Sequence, residues 1–181
     1  MSGKSILCAL TLAAVPALAA ANPMVGGAAM LDSRSIVENA ANSADHTTLV
    51  AAVQAAGLVE TLSGAGPFTV FAPTNDAFGG LAAGTVETLL QPENKDQLTR
   101  VLACHVVAAD VMSAALVTMI KDAGGTHAVP TVGGCTLQAM VEDGMVKIKD
   151  ERGRSATVTI ADVQQSNGVI HVIDTVLLPG A

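Results

Sequence analysis

The chain has 181 residues, of which 50% are apolar, 14% charged and 2% aromatic. That length suits one domain with room for a tail, and the apolar fraction excludes a disordered chain. With 9 Lys+Arg against 16 Asp+Glu, a net charge of −7 and neither Trp nor Tyr, a nucleic-acid partner is excluded: a phosphate backbone would be repelled, and stacking platforms are missing.

Residues 1–21 read as a secretory signal peptide. Lys4 gives a minimal positive start, Ile6 to Val15 is apolar apart from Thr11, Pro16 breaks the run, and Ala17-Leu18-Ala19 offers small residues for cleavage. Cleavage after Ala19 or after Ala21 fits, so a secreted or periplasmic protein is expected. A buried N-terminal helix is the competing reading. The run is short for a membrane span, and no later stretch is long and apolar enough, so no transmembrane anchor is expected. Residues 22–32, with Gly26-Gly27, read as a flexible spacer. The folded domain is expected over 33–179.

Residues 33–63 are helical in pattern. Ser33 or Asp32 can cap a first helix through Ile36, Val37 and Ala40. A second follows Asp45, with Leu49, Val50, Val53 and Ala56 at helical spacing and Gly57 at its end. Leu58, Val59 and Leu62 continue as a short third. Phe68 to Pro73 is β-rich and reads as a buried strand. Thr74 then caps a short helix, Thr85 begins another, and Pro92-Glu93 opens a longer one carrying Leu98, Val101 and Leu102. Cys104 to Val107 reads as a strand, and Ala108 to Ile120 as one more helix, ended by Gly124-Gly125. From residue 126 onward the pattern is strands, with hairpin signals at Asp143-Gly144 and Asn167-Gly168 and an apolar strand pair over Val169 to Leu178. Helices in the first half and an antiparallel sheet in the second define an α+β plan.

Without the signal segment two cysteines remain, Cys104 and Cys135. In an oxidising compartment an even count suggests a bridge. Two separate buried thiols are the alternative.

Two stretches, Gly66 to Phe78 (GPFTVFAPTNDAF) and Asn167 to Pro179 (NGVIHVIDTVLLP), resemble the two signature motifs of the fasciclin domain family, in the expected order. Between them His105-Val106-Val107 is similar to the family's central Tyr-His element, and Asp45 to Leu58 resembles its opening helix. Cys104 departs from the usual Tyr, and His46 stands where an aromatic often sits. The resemblance implies a wedge-shaped β-sandwich with a layer of N-terminal and intervening helices. It also implies extracellular contact: cell adhesion, or association with a surface or matrix. No catalytic activity goes with the fold in general, and some similar secreted members bind carotenoids or other apolar ligands.

Few residues invite chemistry. His105 beside Cys104 could suggest a nucleophile and base, but neighbours in an extended segment point to opposite faces. The resemblance implies instead that His105 bonds inside the core to the Thr74-Asn75-Asp76 turn. His171 reads as a half-buried histidine supporting the sheet, and Asn75 and Asp76 as partners for orphan N–H groups. His105, His171 and Cys135 are ligand types, but no metal-binding spacing is present, so no metal or cofactor is expected. Lys147, Lys149, Arg152 and Arg154 alternate along a hairpin and read as its solvated face, with an anionic surface ligand as the sharper option. Val117, Met119 and Ile120 are the candidate interaction surface. The leading expectation is therefore a monomeric, non-enzymatic module that binds a cell-surface or matrix protein or polysaccharide. A carrier of a small apolar molecule is the alternative.

Overall fold

The computed structural model describes residues 22–180; the expected signal peptide, with its cleavage points near Ala19 and Ala21, lies outside the described residues. The segment read as a flexible spacer is instead built into the fold. β1 (Met24–Val25) and β2 (Ala28–Ala29) form a two-stranded antiparallel ribbon. Val25 and Met30 are buried at its two ends, and the Ala44 amide donates to the Gly26 carbonyl at 3.2 Å. Two apolar side chains suffice to seat it, although so short a segment shows no periodicity in the sequence.

The helical half follows. α1 (Ile36–Asn42) is capped by Ser35 rather than by Asp32 or Ser33. The Ser35 hydroxyl accepts from the Glu38 amide at 3.4 Å, and Glu38 accepts the Ser35 amide at 2.8 Å. A 3₁₀ turn over Ala44–His46 leads into α2 (Thr47–Ala56), which ends at Gly57 with φ +73°. α3 (Val59–Ser63) is one turn long. After β3 (Phe68–Pro73) come α4 (Asn75–Gly79) and α5 (Thr85–Leu89), then α6 (Lys95–Ala103), entered through a 3₁₀ turn at Pro92–Asn94. β4 (Val106–Val107) is short, and α7 (Ser113–Asp122) begins later than the helix expected from Ala108. β5 (Thr126–Pro130), β6 (Thr136–Glu142), β7 (Met145–Lys149), β8 (Ser155–Gln165) and β9 (Gly168–Ile173) complete the chain.

One seven-stranded sheet runs in the order β4-β3-β9-β8-β7-β6-β5. It is mixed, not wholly antiparallel: β3 lies parallel to β9 from Phe68↔Gly168 to Pro73↔Ile173. Two strands about a hundred positions apart thus form the centre of the β4-β3-β9-β8 layer, each buried along nearly its whole length. The strand pair expected over Val169 to Leu178 is β9 alone, because residues 174–180 leave the sheet. β8 pairs with β7 through Ser155–Thr157 and with β9 through Val158–Gln165, with irregular register between. It carries the sheet from one layer into the other.

The two ends of the sheet then meet. In the loop between β5 and β6, the Val132 amide donates to the Val106 carbonyl of β4 at 2.8 Å, and the Gly133 amide to the Ala103 carbonyl at 3.0 Å. The Cys104–Cys135 disulfide stitches the same seam, with 5.4 Å between Cα atoms.

Alternation along β3 and β9 creates two cores. Val70, Ala72, Ile170 and Val172 face α1 to α6, packing against Leu49, Val53, Leu98 and Leu102. Phe71 and Ile173 face the other way, into a core shared with Leu137, Ile148 and Leu177 and closed by Leu116 and Ile120 of α7.

Candidate functional site

His105 is 2% exposed. Its Nδ1 lies 2.8 Å from the Val101 carbonyl, and its Nε2 accepts the Leu177 amide at 2.9 Å. A carbonyl only accepts and an amide only donates, so the ring is neutral with its proton on Nδ1. Burial pushes it down to about 4, against the opposing pull of the Val101 carbonyl and the Asp150 carboxylate. The expected bond to the Thr74-Asn75-Asp76 turn is absent. His105 sits two residues past the end of α6, where the nearest acceptor is the helix's own last turn.

Asp150, which the sequence reading passed over, grips the next amide of the same segment. One carboxylate oxygen accepts the Arg152 and Arg154 amides at 3.0 and 2.8 Å, and the other accepts Leu178 at 2.9 Å. Glu151 adds the Gly180 amide at 2.6 Å, and the Arg152 Nε donates to the Pro179 carbonyl at 2.8 Å. Residues 174–180 are thus strapped under the β7–β8 turn. An aspartate three residues before Gly153 was the available signal, since such a side chain folds a turn about itself.

His171 stacks on Phe71, with centroids 5.7 Å apart and planes at 28°. Its Nδ1 accepts the Asp162 amide at 3.2 Å and its Nε2 donates to the Val111 carbonyl at 2.8 Å, so this ring is neutral with the other tautomer. Burial holds its pKa below the ordinary value, opposed by the Val111 carbonyl and by Asp162 and Asp110. Asp162 stands at φ +58° in the irregular stretch of β8. That twist brings its carboxylate to the start of α7, where it accepts the Ser113 amide at 2.6 Å and the Ser113 hydroxyl. Thr69 fixes the same loop, donating to Ala109 at 2.6 Å and accepting from Val111 at 2.8 Å.

Thr74 accepts the Ala77 amide at 3.3 Å and caps α4. Asn75 serves a different helix: its carbonyl oxygen accepts from the Thr48 amide at 3.0 Å and the Thr47 hydroxyl at 3.1 Å, and its Nδ2 donates to Ala44 at 2.8 Å. Asp76 is exposed in the first turn of α4 and takes no part in the core. Asn167, expected only as a turn residue, accepts the Ile36 amide at 3.0 Å and donates to Leu62 and Gly64 at 2.7 and 3.0 Å. The structure therefore does not gather Thr74, Asn75, Asp76, His105 and His171 into one site. It spends them at separate joints between elements.

The candidate surface on α7 is also corrected. Ile120 is 2% exposed and belongs to the second core, because the helix turns that face toward β5 and β6. Val117 and Met119 are half-buried. The larger exposed apolar side chains include Val141 and Met145 at the β6–β7 turn. Lys147 of the basic hairpin bonds Glu142 at 2.8 Å. An apolar cleft between α1, α2 and β3, lined by Val37, Val50 and Val53, holds about 30 Å³. No helix among the described residues is long and apolar enough to cross a membrane.

A doubled core, a central parallel strand pair and internally consumed polar side chains define a scaffold-type α+β domain. The chain belongs to the fasciclin domain family, whose model matches residues 44–179. It is 51% identical over 156 residues to Protein sll1483 of Synechocystis sp., covering 86% of this chain and 79% of that protein. It is 34% identical over 171 residues to the immunogenic protein MPB70 of Mycobacterium bovis, covering 90% and 79%. Similarity to the transforming growth factor-beta-induced protein ig-h3 of Sus scrofa reaches 36% over 133 residues, or 74% of this chain but 17% of that one. Among solved structures, a FAS1 domain pair from the insect cell adhesion molecule Fasciclin I superposes with a TM-score of 0.57 at 24% identity, covering 70% of this chain and 42% of that chain. That likeness shows the fold.

Proposed function

We propose that this protein is an exported, non-enzymatic interaction module that acts by adhesion to a cell surface or matrix, as a monomer. Family membership supports the class, and the insect relative of the same fold is a cell adhesion molecule. The observation that carries the reading is the fate of the polar interior. Both ring nitrogens of His105 and of His171, both oxygens of Asp150 and the whole amide of Asn167 are bonded to backbone. Groups so committed brace the fold, and neither of these two rings has a free nitrogen to offer a substrate. What remains available is the outer surface of a rigid frame.

Binding of the purified protein to intact cell envelopes and to isolated matrix and polysaccharide fractions tests this. Saturable retention on one of them is expected, and retention on none overturns the reading. The apolar-carrier alternative draws on the cleft beside Val50, which at about 30 Å³ is far below the roughly 300–1,000 Å³ of small-molecule sites. A carotenoid would have to part α1 from α2 to enter.

A further inference from the structure

Arg100 near the end of α6 and Arg152 in the β7–β8 turn line one open hollow of about 410 Å³, together with Asp96, Gln97, Pro179 and Gly180. They come from segments fifty residues apart, brought together by the strap. The Arg152 Nε is held by the Pro179 carbonyl, which fixes the plane of the guanidinium and leaves its two terminal nitrogens for another partner. The neighbouring carboxylate does not take them: the Glu151 oxygens accept the Thr136 and Gly180 amides at 3.0 and 2.6 Å. Among the described residues, the ion pairs within 4.0 Å are those of Lys147 with Glu142 and Asp143. So among the described residues neither arginine is ion-paired within 4.0 Å, while Glu151, its pKa lowered by the Thr136 and Gly180 amides, also feels the charge of Arg100.

We infer that this hollow takes the carboxylate of a uronic-acid unit in an acidic polysaccharide. Planar guanidinium groups match a carboxylate with paired hydrogen bonds. The Pro179 ring and the arginine stems give a mainly apolar floor on which the C–H face of a sugar rests. Asp96 and Gln97 on the rim accept from or donate to ring hydroxyls. Asp96 also sets the sign of selectivity, because an acidic rim repels a densely sulfated chain more than a chain with one carboxylate per sugar. The inference rests on the adhesion reading for its choice of partner, and it names the chemistry of that partner.

Calorimetric titration of the purified protein with oligogalacturonate tests it. Methyl esterification of the ligand, which removes its charge and keeps its shape, is expected to weaken binding about tenfold or more, as is Arg100→Gln. Thermal unfolding should be unchanged in Arg100→Gln, whose side chain is exposed. Equal affinity for acid and ester, or for wild type and Arg100→Gln, overturns the site. A protein that adheres to envelopes yet ignores oligogalacturonate overturns this site and leaves the adhesion reading standing; failure of both assays overturns both.

Discussion

The Leu177 amide donates to His105 Nε2 across 2.9 Å, joining residues 72 positions apart. The bond needs a neutral ring, because a protonated Nε2 would set one N–H against another. Acidification therefore acts on the joint between α6 and the C-terminal strap. In the unfolded chain the imidazole titrates near about 6.5; in the fold it titrates at about 4. Between those values the unfolded state binds the proton and the native state does not. The contribution is fully present above about pH 6.5, declines as pH falls, and is gone below about pH 4, amounting to about 3 kcal/mol. His46 and His171 are shifted in the same direction, by burial. Urea denaturation at several pH values should show stability falling from neutrality toward pH 4, with a shallower fall in His105→Gln. A flat profile over that window would contradict the assignment.

How much of this was legible follows from the range of each interaction. Local signals were readable: the Thr74 cap, the Gly57 stop, the turns at Asp143 and Asn167, and the β-rich run at Phe68. The family motifs were readable because they are the two central strands. Their parallel pairing was not, since no local pattern distinguishes a buried strand with a parallel neighbour from one with an antiparallel neighbour. The His105 partner was misassigned for a related reason: a histidine at the end of a helix bonds that helix's last turn before any distant loop. Ile120 was misplaced because α7 is short and its apolar residues outnumber one face. Asp162 went unseen because its partner Ser113 lies in another segment; Asp150 had a local turn signal, and only its bond to Leu178 was beyond the reach of sequence.

The disulfide is expected to contribute about 3–4 kcal/mol, since the chain-entropy model scales with the loop closed, here a separation of 31 residues. It lies across the seam where β4 meets the β5–β6 loop, so its loss should loosen that seam first. Cys104 and Cys135 are bonded to each other and buried, so a thiol reagent should find neither, even after unfolding, until the bridge is reduced. Reduction or a Cys104→Ala, Cys135→Ala double variant should lower the unfolding midpoint and raise amide exchange at Val106 and Val132. Exchange unchanged there would show that the seam holds without the bridge.

Asn167 joins three elements through one side chain, bonding Ile36, Leu62 and Gly64. Truncation to alanine strands the Ile36 amide at the start of α1 and two carbonyls near the end of α3. A loss of about 2–4 kcal/mol is expected from the unsatisfied groups. Asn167→Asp keeps the acceptor for Ile36 and loses both donors, so it should fall between wild type and alanine. The adjacent Gly168 cannot accept a side chain, since a Cβ there would strike the Phe68 carbonyl in the neighbouring strand. Gly168→Ala should therefore be more damaging than its size suggests, by forcing β3 away from β9. Chemical denaturation of the three variants provides the ranking.

The N-terminal ribbon separates two pictures of where the domain begins. Were residues 22–32 a spacer, substitutions in it would leave stability untouched. Met30 is instead 2% exposed and Val25 3%, both within the helical core, while Met24 beside them is 60% exposed. They cover His46, whose Nδ1 lies 3.0 Å from the Ser43 hydroxyl and whose Nε2 is buried without a hydrogen-bond partner. Removing the ribbon would open that ring to water as well as exposing apolar surface. Met30→Ala is expected to cost about 2–4 kcal/mol, from lost transfer energy and the cavity left behind. Met24→Ala should change stability by less than about 0.5 kcal/mol, as exposed positions do. Denaturation of the two variants side by side decides the matter: a marked loss in the first alone places the start of the cooperative unit at or before Met30, and equal, negligible losses would return the segment to the role of a tether.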